Sequence, residues 1–102
     1  MNKTEHLLTC LIEECAEIQK AAAKALRFGL DDHAPVGPVI PNSDCIAAEC
    51  IDLLAIIEML QDENIIPTTR NPHAIQAKKD KVTKYMEYAK NRGTLNANQG
   101  LK

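Results

Sequence analysis

The segment 51–60 is almost entirely apolar, with Asp52 and Glu58 as its only polar residues. A helix with so little polar surface is enclosed on most of its sides. Its neighbours must be other helices, because the only strand-like stretch, 38–41, is too short to form a sheet. The chain has 102 residues, enough for one domain, and a domain of this size buries only a modest share of its own surface. The segment therefore predicts an all-α fold whose central helix is completed by a partner chain.

Three helical segments are predicted, at 3–28, 44–62 and 73–92, from apolar residues that recur every three or four positions. Each has a residue suited to capping its start, and two have a glycine just beyond their end. The start of the first helix is Asn2 with Glu5, that of the second is Ser43 or Asp44, and that of the third is Asn71 with Pro72. Gly29 follows the first helix and Gly93 follows the third.

The stretch 30–42 between the first two helices contains Pro35, Pro38 and Pro41 and cannot be regular helix. A loop of this length in a small domain is more often functional than idle. We expect one helical domain at 1–95 that includes this loop, followed by a weakly ordered tail at 96–102. With three main helices per chain, a four-helix-type bundle would form by oligomerisation, as a homodimer or a dimer of dimers.

Charge and hydropathy exclude several classes of protein. The formal net charge is −2, so no nucleic-acid polymer is expected as a partner. No uninterrupted apolar run is long enough to span a membrane, and the first residues lack the features of a signal peptide. We expect a cytoplasmic protein that does not bind a membrane, and its four cysteines are expected to be reduced thiols buried in the core.

Two acidic pairs share one spacing: Glu14 with Glu17 in the first helix, and Glu49 with Asp52 in the second. Residues three apart lie on one face of a helix. Glu49 is aligned with the interior apolar stripe of its helix, and Glu14 borders the stripe of the first. Such acids are costly unless they are paired or bound to a metal ion. The alternative is that they lie at the edges of their stripes and bend outward to water, which is harder to sustain for two pairs than for one.

Oxygen ligands of this kind favour Mg²⁺, with Mn²⁺ as a second choice. Di-iron carboxylate bundles are the main competitor, but they use a Glu-x-x-His motif. In this chain Glu17 and Asp52 occupy the corresponding positions, so iron chemistry is disfavoured.

The acidic motifs at 13–17, Glu-Glu-Cys-Ala-Glu, and at 49–52, Glu-Cys-Ile-Asp, resemble those of a known family. They match the Glu-Glu-x-x-Glu … Glu-x-x-Asp motif of the MazG-like and all-alpha dUTPase-like nucleoside triphosphate pyrophosphohydrolases. The chain looks like the short single-domain members from bacteria and bacteriophages, over roughly 7–95. Stretches 25–29 and 85–89 add weaker similarity. The gap between the motifs is longer than is usual in that family because of the proline-rich loop.

The resemblance implies an enzyme that hydrolyses a nucleoside or deoxynucleoside triphosphate to the monophosphate and pyrophosphate, and so cleans or shapes the nucleotide pool. A phage-encoded enzyme would act in the host cytoplasm. Magnesium would be held by Glu14, Glu17, Glu49 and Asp52, with Glu13 as an auxiliary acid. Either Glu13 or Glu14 is a candidate to accept the proton of the water that attacks the α-phosphorus.

Cationic residues are needed for the phosphates of such a substrate. Lys81 and Lys84 of the third helix, with Tyr88 one turn beyond, form one candidate set, and Lys24 and Arg27 of the first helix form another. For any single lysine the alternative is a solvated surface charge. Candidates near the loop for contacts to the base are Phe28, His33 and Asn42.

A second function class remains open: a helical oligomerisation or interaction module without catalysis. The position of Glu49 and Asp52 among apolar residues argues against it. Pyrophosphate release that depends on magnesium would separate the two.

Overall fold

The computed structural model describes residues 1–68 and 71–96, and this part of the chain contains three α-helices and no strand. The helices are α1 (Lys3–Phe28), α2 (Asn42–Asp62) and α3 (Pro72–Arg92). The all-α prediction is therefore confirmed, whereas the bundle of several chains stays a prediction. None of the described helices is long and apolar enough to cross a membrane.

Helix α1 begins and ends where its local sequence predicts. The Asn2 side chain accepts a hydrogen bond from the backbone N of Glu5 at 2.8 Å. The Glu5 carboxylate in turn accepts one from the backbone N of Asn2 at 3.3 Å, which completes a capping box. At the other end Gly29 has φ of 103°, a conformation that glycine adopts without steric cost, and its N–H donates to Ala25 O.

Helix α2 starts two residues earlier than predicted, at Asn42, and neither Ser43 nor Asp44 caps it. Pro41 precedes the helix with φ of −59°, which already suits helix entry. Its carbonyl accepts the backbone N–H of Asp44 at 2.9 Å. No side-chain cap is needed there, because the first backbone N–H groups of the helix donate to the preceding loop: Asn42 N to Asp32 O at 2.8 Å and Ser43 N to Leu30 O at 2.9 Å.

The first compact unit comprises Met1–Thr68 and contains α1 packed against α2. An ion pair of 2.6 Å joins Lys3 at the start of α1 to Glu63 just after α2, so the two helices run antiparallel. The two alanines of its core, four residues apart on α1, allow a close approach of the helices. The buried apolar residues of this unit are Leu7, Ala21, Ala25 and Leu60.

Within this unit α1 covers only one side of α2. Ile51 and Leu54 are 65% and 57% exposed, so the enclosure that the apolar segment predicts is not achieved by these two helices alone. All four cysteines are free thiols, but the prediction that they are buried in the core was wrong: Cys10 and Cys45 are partly exposed, and Cys15 and Cys50 are exposed. Each of the last two follows a glutamate of the acidic pairs on a helix that has one packed side, which leaves its thiol on the open side.

The second compact unit contains α3. Asn71 caps this helix by accepting a hydrogen bond from Ala74 N at 3.1 Å, Pro72 is its first residue, and Gly93 ends it with φ of 79°. All three features were predicted. No residue of α3 is buried. The predicted tail at 96–102 lies outside the described residues except for Asn96.

Candidate functional site

Three of the predicted acids meet where the middle of α1 faces α2. Carboxylate oxygens of Glu14, Glu49 and Asp52 all lie within 4.8 Å of one another. The three-residue spacing places Glu49 and Asp52 on one face of α2, and antiparallel packing brings Glu14 of α1 opposite them. Glu14 and Glu49 are half-buried, whereas Asp52 is exposed. We call these three residues the acidic cluster.

The negative charges of the cluster act on one another. Partial burial raises the pKa of Glu14 above its ordinary value, and the nearby carboxylates of Asp52, Glu49, Glu17 and Glu13 raise it further. The ion pairs found in residues 1–68 and 71–96, Lys3–Glu63 and Lys90–Glu87, do not involve the cluster. Within the described chain these like charges therefore have no ion-pair partner.

The donor set suits a hard divalent cation. It consists of carboxylate oxygens alone, with neither imidazole nor thiol in the group, and such ligands favour Mg²⁺ or Mn²⁺ over zinc or copper. The exposure of Asp52 leaves one side open to a ligand. The residues present thus fit the metal that the sequence predicts.

Glu17 and Glu13 lie beside the cluster but outside the group of converging oxygens. Glu17 is one turn further along α1 and lines the groove described below, while Glu13 is exposed next to Glu14. Both are close enough to raise the pKa of Glu14. Their predicted roles as fourth ligand and auxiliary acid remain predictions.

An open groove of about 820 Å³ adjoins the cluster, a volume within the usual range of small-molecule sites. Glu49 belongs to both, so the groove and the cluster are continuous. Its walls come from the second half of α1, the loop 29–41 and the first turns of α2. The polar and charged residues that line it are Glu17, Lys20, Lys24, Asp32, His33, Asn42 and Glu49, and the apolar ones include Phe28, Val36 and Ile40.

Asn42 fixes both ends of the loop that forms one wall. Its side-chain amide donates to Gly29 O at 2.8 Å, its backbone N donates to Asp32 O at 2.8 Å, and the next backbone N, of Ser43, donates to Leu30 O at 2.9 Å. Asn42 is buried. Although it lines the groove, its amide already has a structural partner, whereas Phe28 and His33 line the groove with exposed side chains.

The predicted cationic residues are distributed over several surfaces. Lys24 lines the groove, but Arg27 does not: its guanidinium lies 4.7 Å from the centre of the Phe28 ring. Lys81, Lys84 and Tyr88 are exposed on α3, in the second unit.

Lys20 also lines the groove, although it is not among the residues predicted from the sequence. The signal was present, because Lys20 follows Glu17 by three residues and precedes Lys24 by four, which puts all three on one face of α1.

No family model matches the chain, and no similar protein was found among curated proteins or solved structures.

Proposed function

We propose that the protein is a magnesium-dependent nucleoside triphosphate pyrophosphohydrolase that releases pyrophosphate and the monophosphate. One observation carries the proposal: the oxygens of Glu14, Glu49 and Asp52 converge to within 4.8 Å without a cationic side chain among them. Like charges held this close destabilise a fold. Their convergence is explained by a bound cation.

The chemistry of the reaction agrees with this donor set. A triphosphate is a polyanion that the bare carboxylates would repel. Magnesium, when bound, reverses the sign of the local charge, stabilises charge on phosphoryl oxygens and acidifies a bound water. Glu14, Glu49 and Asp52 would hold it, and Glu17, one turn further along α1, is the candidate for a fourth ligand. Glu13, exposed beside Glu14, or Glu14 itself would accept the proton of the attacking water.

The proposal includes assembly with a second copy of the chain, as a homodimer or a dimer of dimers. Exposed apolar side chains on α2, Ile51 and Leu54 among them, would then be covered in a helical bundle. Light scattering at micromolar protein concentration tests this step. A folded monomer there would contradict it.

The same exposed apolar side chains favour the second candidate, a helical interaction module without catalysis. That candidate offers no reason for three converging carboxylates. It predicts that partner binding or self-association is unaffected when the cluster is neutralised.

The decisive experiment is a panel of ribonucleoside and deoxynucleoside triphosphates incubated with the full chain. Pyrophosphate and the monophosphate should appear with magnesium and should be absent with a chelator. Release of inorganic phosphate instead would indicate attack at the γ-phosphorus. No turnover of any triphosphate with magnesium or manganese would remove the enzymatic proposal.

A further inference from the structure

The groove beside the acidic cluster is not explained by the metal chemistry. We propose that it binds the nucleoside part of the substrate, with the base against the apolar wall formed by Phe28, Val36 and Ile40. This inference rests on the proposed function, because it takes the polyphosphate to be held at the acidic cluster.

The direction of the ligand follows from the charges along α1. On the groove side the residues are, in order, Glu17, Lys20, Lys24 and Phe28. At about 1.5 Å per residue they span roughly 16 Å. Negative ligands for a cation lie at one end and an aromatic ring at the other. A molecule with phosphates at one end and a flat apolar ring system at the other matches this order.

Lys20 and Lys24 lie between these ends. Neither forms an ion pair with another residue in 1–68 or 71–96, so both ammonium groups are available to phosphate oxygens. They are four residues apart and project from one face of α1. We place the phosphate nearest the sugar between these two lysines.

The far end of the groove suits a base. Phe28, Val36 and Ile40 provide apolar surface for the faces of a ring. Asp32 and His33 line the same groove and offer hydrogen-bonding groups to the edge of the ring. The His33 ring shares a hydrogen bond of 2.9 Å with Ala34 O, which orients one of its nitrogens and leaves the other for a ligand.

The loop wall is held before any ligand arrives. Asn42 fixes its ends through the hydrogen bonds to Gly29 and Asp32, and three prolines restrict its backbone. Gly37 has φ of 99°, which a residue with a Cβ rarely adopts. A loop with few alternative conformations loses little entropy on binding, as a binding wall requires.

Two valines of this loop give a matched test. Val36 lines the groove and is 85% exposed, whereas Val39 lies outside it and is 73% exposed. Val36→Asp adds a negative charge to the proposed base subsite, and Val39→Asp adds the same charge to the same loop elsewhere. Phe28→Ser and Leu26→Ser form a second pair, since both residues are exposed near the end of α1 and only Phe28 lines the groove.

Calorimetric titration of the full chain with nucleoside monophosphates, in the presence of a chelator, measures binding to the groove in the absence of metal and of catalysis. Val36→Asp and Phe28→Ser should weaken binding at least about tenfold, a clear loss on the scale of charge-assisted and stacking contacts. Val39→Asp and Leu26→Ser should stay within about twofold. Circular dichroism checks that all four variants keep their helices. If one pair of variants fails to fold, binding by the other pair tests the inference.

The inference would be overturned if no monophosphate binds the wild-type chain at millimolar concentration, or if both members of a pair lose binding equally. Inorganic pyrophosphate is the control ligand, and a loss of its binding equal to that of the monophosphates would show that the groove holds phosphate and not the nucleoside. If the pairs separate but no triphosphate is hydrolysed, the groove assignment stands and the proposed enzyme fails. If triphosphates are hydrolysed but the two members of each pair lose binding equally, the proposed enzyme stands and the groove assignment fails.

Discussion

The acidic pair of α1 and the acidic pair of α2 have the same three-residue spacing, yet their surroundings differ. Both members of the α2 pair, Glu49 and Asp52, reach the cluster, but only Glu14 of the α1 pair does so. Glu17 lines the groove instead, and Glu49 belongs to both. Spacing sets which face of its own helix a side chain occupies. Contact between helices decides which of those side chains meet.

Glu49 belongs to both the acidic cluster and the groove, so its neutralisation should have the largest effect on pyrophosphate release. Glu49→Gln keeps the shape but removes a charge and a good ligand. We expect pyrophosphate release to fall by at least roughly 100-fold, because even side chains that only orient metal ligands change affinity or activity by roughly 10–100-fold. Asp52→Asn should lose activity in the same way, as a member of the cluster outside the groove.

The stability of the same variant tests whether the carboxylate serves the fold. Without metal, Glu49→Gln should unfold at the same or a higher temperature than the wild type, since it removes repulsion within the cluster. Magnesium should raise the Tm of the wild type by mass action, by the equivalent of about 2.7 kcal/mol at 100 times the Kd. A clear drop in metal-free stability with activity retained would mean that Glu49 supports the fold and not catalysis.

The cationic residues of α3 are the next element to test, because the sequence predicts that Lys81 and Lys84 contact the phosphates of the substrate. Lys84→Ala should weaken triphosphate binding far more than monophosphate binding, by roughly 1.5–3 kcal/mol for a lost charge-assisted contact. Lys90→Ala is the control, since Lys90 lies on the same helix and already pairs with Glu87 at 3.6 Å. Equal losses for both nucleotides, measured by calorimetry, would identify Lys84 as a solvated surface charge.

Glu17 should have a smaller effect than Glu14, although the two belong to one pair. Its oxygens lie outside the converging group, but its charge acts on Glu14. We expect Glu17→Gln to weaken magnesium binding by about tenfold, as loss of a supporting residue does, and Glu14→Gln to weaken it further. A titration with Mn²⁺ followed by electron paramagnetic resonance measures both. Identical losses would place Glu17 among the direct ligands, as the motif resemblance implies.

The helices were predictable because their signals are local. Asn2 with Glu5, and Asn71 with Pro72, identified two helix starts, since each asparagine side chain accepts a hydrogen bond from the backbone N–H three residues further on. The start of α2 was missed because Pro41 begins the helix through its backbone carbonyl, without the side-chain cap that sequence patterns reveal.

The acidic cluster was predictable in part for a related reason. Helical spacing identified the acids, but it contains no information about the register of α1 against α2. That register depends on the packing of α1 against α2 around Leu7, Ala21, Ala25 and Leu60, and it decides that Glu14, and not Glu17, joins Glu49 and Asp52. The groove was harder still to predict from the sequence, because it depends on the path of the loop and on the Asn42 hydrogen bonds that fix it.

The smallest effect is expected for Glu58→Gln, which separates geometry from charge. Glu58 and Asp52 are both exposed acids on α2, but six residues turn Glu58 about 120° around the helix from Asp52. Glu58 lies outside the converging group. If the arrangement of oxygens matters, Glu58→Gln should change pyrophosphate release by no more than about twofold, and stability by no more than about 0.5 kcal/mol. Steady-state rates at saturating magnesium and thermal unfolding in chelator measure the two quantities.

Suppose instead that Glu58→Gln loses as much activity as Asp52→Asn. The total negative charge of α2 would then govern activity, and the convergence of Glu14, Glu49 and Asp52 would not define a metal site.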